Sequence, residues 1–140
     1  MQFVKSERSY KVTNEQGGPF RLQTPKVTVA DYNREYNTMT LECPNELENQ
    51  WRALEEQASH LDDLLPWHSA LSGDRLRVKI EGGTMFFDSK SELVADGGLR
   101  AGSVVTCLLE IKSVYIYKGM SGFTCKVHQI KIHDRGGCLI

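Results

Sequence analysis

No stretch of this chain approaches the roughly 20 consecutive apolar residues that an α-helical membrane span needs, so a helical membrane protein is excluded. The opening residues 1–7 lack the hydrophobic core of a signal peptide, and the expected surroundings are therefore intracellular and reducing. Cysteine is sparse. Cys43, Cys107, Cys125 and Cys138 are 64, 18 and 13 positions apart with no C-x-x-C pair, a spacing that argues for free thiols and against a zinc site. Cys138 stands third from the end, whereas a prenylation box needs the fourth. Also missing are a Walker loop, H-E-x-x-H, G-x-S-x-G and a glycine-rich turn between a strand and a helix. His128 and His133, five apart on one extended segment, face opposite ways and do not chelate one ion together. The acids Asp88, Glu92 and Asp96 are the one remaining hydrolytic set, but Ser89, Ser91 and the glycines after them suit a loop better than a helix that would cluster them. No internal repeat and no βαβ rhythm is visible.

What is present is an ordinary globular composition: 140 residues, 40% hydrophobic and 25% charged, read as a single domain with a real core. A net charge of −1 taken alone argues against a nucleic-acid binder. Its distribution answers part of that objection. From position 42 to 63 acids dominate (Glu42, Glu46, Glu48, Glu55, Glu56, Asp62, Asp63, with Arg52 the lone base), while from 75 to 135 bases outnumber acids by 4.

The most informative stretch spans residues 104–132. Residues 104–109 and 114–117 are β-branched, aromatic and aliphatic, residues 118–122 supply a glycine-bearing tip, and residues 123–132 resume extended. This is a hairpin with a strand ahead of it. Tyr115 and Tyr117 share one face by period two, and Lys112, Lys118, Lys126 and Lys131 lie along or beside the same strands.

Upstream, residues 1–16 suit either a short edge strand or a frayed arm. Residues 20–24 alternate, with Phe20, Leu22 and Thr24 on one face and Arg21 and Gln23 on the other. Pro25 bends the chain before a second extended piece, residues 26–30. Tyr32, Arg34 and Tyr36 could present ring, cation and ring on one side of a loop, though tyrosines resting on the core rim of a turn are the plainer reading. Residues 36–43 form the next strand. Asn45 is placed to cap the only long helix, with Glu48 reaching back to it. Leu47, Trp51, Leu54, Ala58, Leu61 and Leu65 then make one apolar stripe that Pro66 ends, so Trp51 reads as core. The cleanest alternation follows. Leu76, Val78 and Ile80 point inward, and Arg75, Arg77 and Lys79 form an outer row of like charges about 7 Å apart that repel unless an anion lies along them or carboxylates face them. Gly82 and Gly83 read as a turn, residues 85–87 as a short strand, and residues 134–140 as a flexible end.

These elements predict a mainly β architecture, a small antiparallel barrel with one packed α-helix, of which the OB-fold is the best-known example. In order, Pro19-Phe20-Arg21-Leu22-Gln23-Thr24-Pro25, Arg75-Leu76-Arg77-Val78-Lys79-Ile80, Val114-Tyr115-Ile116 and Gly122-Phe123-Thr124-Cys125-Lys126-Val127-His128-Gln129-Ile130-Lys131-Ile132 resemble the single-stranded DNA-binding proteins of bacteriophages and large DNA viruses. The likeness covers about four fifths of the chain. Cys125 departs from it, standing where such proteins often carry an aromatic residue. The resemblance implies an OB-fold, sequence-independent coating of exposed strands in viral replication or recombination, and a host cytoplasmic or nuclear setting. Self-association or a replication-protein partner is compatible with it. It implies no cofactor or metal, no catalysis and no membrane.

Taken with the resemblance, the residues place single-stranded DNA, or RNA, in a groove between Arg75, Arg77 and Lys79 on one side and Tyr115, Tyr117, Lys118, Phe123 and Lys126 on the other, with Arg21 as a secondary contact. A protein-interaction module displaying the same tyrosines is the first rival. A small metal-dependent hydrolase built on Asp88, Glu92 and Asp96 is the second.

Overall fold

Alternation sets the strands. Leu76, Val78 and Ile80 are buried while Arg75, Arg77 and Lys79 between them are exposed. The same period puts Leu22 inside and Arg21 and Gln23 outside. The computed structural model describes residues 1–61, 66–95 and 98–134. Asp62, Asp63 and Leu65, Asp96 and Gly97, and residues 135–140 of the expected flexible end, Cys138 among them, lie outside the described residues.

In chain order the elements are β1 (Gln2–Lys5), β2 (Ser9–Thr13), β3 (Phe20–Gln23), β4 (Val27–Asn33), β5 (Thr38–Glu42), α1 (Asn45–Ser59), β6 (Leu71–Ser72), β7 (Arg75–Phe87), β8 (Leu93–Val94), β9 (Val104–Tyr117) and β10 (Met120–Asp134). Strands β4, β5, β7, β10 and β9 neighbour one another in that order. Pairing of Val27 with Val105 and Thr28 with Val104 closes them into a five-stranded barrel, as an OB-fold requires. Four of the five pairings in this ring are antiparallel, and β7 with β10 is parallel. Helix α1 enters the chain between the second and third barrel strands.

Strand β9 is the axis of the arrangement, pairing with β10 along its length and with β2, β3 and β4 on its other edge. It runs unbroken where the sequence suggests two segments. Its buried residues Val105, Cys107, Leu109 and Ile111 keep period two into the apparent gap, and the phase then shifts to buried Val114 at an irregularity in the pairing with β10 between Thr124 and Cys125. Residues 1–16 take the edge-strand alternative, because β1 and β2 form a hairpin that docks on β9 through Ser9, Tyr10 and Lys11. Pro25 sits at a corner. There the Thr24 N–H donates to the Cys107 carbonyl (2.8 Å) and Thr24 Oγ1 accepts the Cys107 N–H (2.9 Å), so the ladder continues as far as the proline that cannot donate.

Two local expectations change. Gly82 and Gly83 do not turn the chain; β7 continues through them, and residues 81–84 stand opposite His128 as a bulge between the pairs Ile80–Val127 and Met85–Gln129. Thr84 Oγ1 fixes the bulge, donating to the Val127 carbonyl (2.6 Å) and accepting the Glu81 N–H (3.1 Å). Asn45 does not cap α1. Pro44 holds that position in an extended conformation (φ −61°, ψ 157°), its carbonyl accepts the Glu48 N–H at 2.9 Å, and Asn45 already lies inside the helix. The helix closes at Ser59, short of Pro66, where Leu61 and His60 both tighten onto the Ala58 carbonyl.

The helix buries Leu47, Trp51, Glu55 and Ala58. Trp51 is fully enclosed, as its place in the stripe predicts, and meets the Phe123 ring edge-on at 5.7 Å between centroids. Trp67 meets the same ring at 5.1 Å, so Phe123 joins helix, linker and hairpin.

Candidate nucleic-acid interface

The outer face of β5 and β7 begins the site. Across the ladder Arg75 pairs with Glu42, Arg77 with Thr40 and Lys79 with Thr38, while on the other edge of β7 Lys79 lies beside Lys126 of β10. Carboxylates do not neutralise the row: among the described residues Arg75, Arg77 and Lys79 form no ion pair, although Glu42 stands across from Arg75. Two lysines side by side on adjoining strands repel each other, an effect that Glu110, 4.0 Å from Lys126 Nζ, offsets in part.

The opposite wall is the β9–β10 hairpin and the linker after the helix. Tyr115 faces Gly122 across the hairpin, and its ring lies over that glycine. Residues 66–70 run alongside as an improvised strand. The His68 N–H donates to the Ser121 carbonyl (2.7 Å), Ser121 N–H donates to the Pro66 carbonyl (2.9 Å), and Arg77 N–H donates to the Ala70 carbonyl (3.0 Å). Buried Glu55 ties the same linker to the helix, accepting from Ser69 Oγ (2.6 Å) and the Ala70 N–H (3.1 Å).

Between these walls lies a groove of about 450 Å³ whose lining includes Arg75, Arg77, Tyr115, Phe123, Thr40 and His68. It brings four sequence-predicted residues together. Phe123 is partly buried, its ring in T-shaped contact with both Trp51 and Trp67. Lys79 continues the cation row past the groove. Tyr117 and Lys118 lie past Tyr115 at the hairpin tip, where Tyr117 is 65% exposed and Lys118 Nζ sits 5.2 Å from its ring centroid. Lys118 (φ 49°) and Gly119 (φ 77°) make the two-residue turn that sharpens the tip.

Arg21 and Lys126 are placed differently. Arg21 Nε lies 2.9 Å and Lys126 Nζ 4.0 Å from the two oxygens of Glu110, so one carboxylate offsets half of their charge. In the turn between β4 and β5, Arg34 covers the Tyr32 ring (5.4 Å) and Tyr36 is exposed. Sequence reasoning missed Thr40 and the linker residues 68–72. Thr40 had a signal, since Met39 and Leu41 are buried on either side of it. His68 had none, because long-range backbone bonds place it.

The chemistry of acids and thiols is elsewhere. Asp88 Oδ1 accepts the N–H groups of Lys90 and Glu92, both at 2.9 Å, and so closes its own loop. Among the described residues no group of three His, Cys, Asp or Glu could hold a metal ion. Burial pushes the Cys43 thiol up to about 11 and the Cys107 thiol up to about 12, which keeps both protonated near neutrality.

No family model and no curated protein matches the sequence. Among solved structures the fold matches the single-stranded DNA-binding protein of bacteriophage Enc34. In complex with single-stranded DNA, that protein superposes with a TM-score of 0.55 at 9% identity over 93% of this chain and 92% of that one. The same protein alone gives 0.56 at 8% over 100% and 97%. Its C-terminal truncation gives 0.57 at 9% over 96% and 95%. At these identities the likeness is one of fold, end to end.

Proposed function

We propose that this protein binds single-stranded DNA without sequence preference, covering exposed strands during viral or phage DNA replication or recombination, and that it is not an enzyme. The observation that carries this reading is the groove in which Arg75 and Arg77, free of ion pairs among the described residues, face the ring of Tyr115. Cations opposite an aromatic ring suit a bare strand, whose phosphates and base faces both need partners. The end-to-end likeness to a protein that binds single-stranded DNA supports the same ligand. Tyr115 stacks on a base, Arg75, Arg77 and Lys79 hold phosphates, and Tyr117 with Lys118 extends the interface at the hairpin tip. Arg21 and Lys126, sharing Glu110, contribute less.

Titration with an unstructured oligonucleotide and with duplex DNA, each at low and high salt, tests the proposal. Tyr115→Ala should weaken single-strand binding by about 1–3 kcal/mol with little change in salt slope. Arg77→Ala should flatten that slope by about 0.7. Equal slopes in both variants would show the roles to be wrong. Binding to neither nucleic acid would favour the rival in which the tyrosines meet another protein.

A further inference from the structure

A second concavity lies farther along β7, which carries the cation row, and its neighbour β10, on the outer wall where β3, β9, β10 and β7 adjoin. Its volume is about 290 Å³, and its lining includes Gln23, Phe87, Thr106, Leu108, Gln129 and Lys131. These side chains are ladder neighbours. One rung runs Gln23–Leu108–Gln129 across β3, β9 and β10, and the next runs Thr106–Lys131–Phe87 across β9, β10 and β7. A ring, two amides, a hydroxyl and a cation thus converge on one shallow site, and among the described residues its lining includes no acid. Lys26 also stands near enough to add to the field of Lys131, since both help depress the His133 imidazole below its usual range after burial itself.

We propose that this concavity is a second nucleotide-binding site, taking a base and phosphate of the same single strand after it leaves the groove. Phe87 stacks on the base, the carboxamides of Gln23 and Gln129 meet its edge, and Lys131 holds a phosphate. The path between the sites carries Lys79, Lys126 and Arg21 against Glu110, which pairs with the last two, and Glu81. Lys79 and Lys126 sit side by side where the groove's row ends, and five residues of β10 carry the strand from Lys126 to Lys131, about 17 Å at 3.3 Å per residue. Parallel pairing of β7 with β10 makes the line continuous, because both strands leave the groove in the same direction.

The inference rests on the proposed function, and oligonucleotide length separates the two. An oligonucleotide of about 3 nucleotides fills the groove alone, whereas one of about 20 reaches both sites. On the long oligonucleotide, Phe87→Ala should weaken binding at least fivefold or so, and Lys131→Gln should lower the salt slope by about 0.7. On the short one both variants should match the wild type. Unchanged long-oligonucleotide binding in both variants would overturn the second site, as would equal losses on both lengths, which would mean that Phe87 supports the barrel alone. Lys131→Gln is a surface change that leaves packing intact, so it decides the matter even if Phe87→Ala fails to fold. Failure of the wild type to bind the short oligonucleotide would instead count against the groove, and failure to bind either would sink both readings.

Discussion

At Gly122 a side chain has no room. A Cβ there would stand 2.7 Å from Tyr115 Oη, 2.8 Å from the His68 carbonyl oxygen and 2.9 Å from Tyr115 Cε1. The tyrosine could swing aside, but the carbonyl belongs to the linker backbone. Gly122→Ala should therefore cost about 1–3 kcal/mol of stability in denaturant unfolding and displace the Tyr115 ring from the groove wall. The expected second readout is weaker single-strand binding under conditions where the variant is fully folded. Unchanged affinity would mean that Tyr115 does not touch the strand. In the sequence Gly122 looks like part of a turn, yet the turn is completed by Lys118 and Gly119. What excludes a side chain from this position is the close approach of residue 68, which no local pattern announces.

Elements were legible in proportion to how locally they are determined. Period two in Arg75-Leu76-Arg77-Val78-Lys79-Ile80 and the apolar stripe through Leu47, Trp51, Leu54 and Ala58 come from side chains a few positions apart, and both predictions hold. The linker 66–72 is the opposite case. It carries no periodicity, and becomes a groove wall only through bonds to Ser121, to Arg77 and to Glu55. Glu55 reads in the sequence as one more acid of the segment from position 42 to 63, but its carboxylate is buried and holds Ser69 and Ala70. Glu55→Ala leaves those donors without their acceptor and should cost about 1–3 kcal/mol in thermal or denaturant unfolding. Binding should weaken with it while the salt slope stays constant, because no phosphate partner is removed. Glu55→Gln, which keeps one acceptor oxygen, should fall between. A changed slope in Glu55→Ala would place the carboxylate in direct electrostatic contact with the strand rather than behind the wall.

On the scale of the whole molecule, the proposed grip of a near-neutral protein on a polyanion rests on the separation of its charges. Helix α1 presents Glu46 and Glu56 to solvent, whereas β7 presents Arg75, Arg77 and Lys79 with no ion pair among the described residues. The barrel gains nothing from that row in the unbound state. Like charges spaced along one strand, with Lys126, which shares Glu110 with Arg21, beside Lys79, repel one another, and phosphates above them would relieve that repulsion. Replacing Arg75, Arg77 and Lys79 together with Gln should consequently have opposite effects on two measurements. Thermal unfolding of the free protein should occur at the same temperature or a higher one, because repulsion is removed and no pair is broken. The salt slope of single-strand binding should fall by about 2, near 0.7 for each phosphate left without its cation. If the variant instead melts markedly lower, the three cations have acids as partners in solution. The outer face of β7 would then be a structural lattice of charges, and the interface would have to be sought around the hairpin tip.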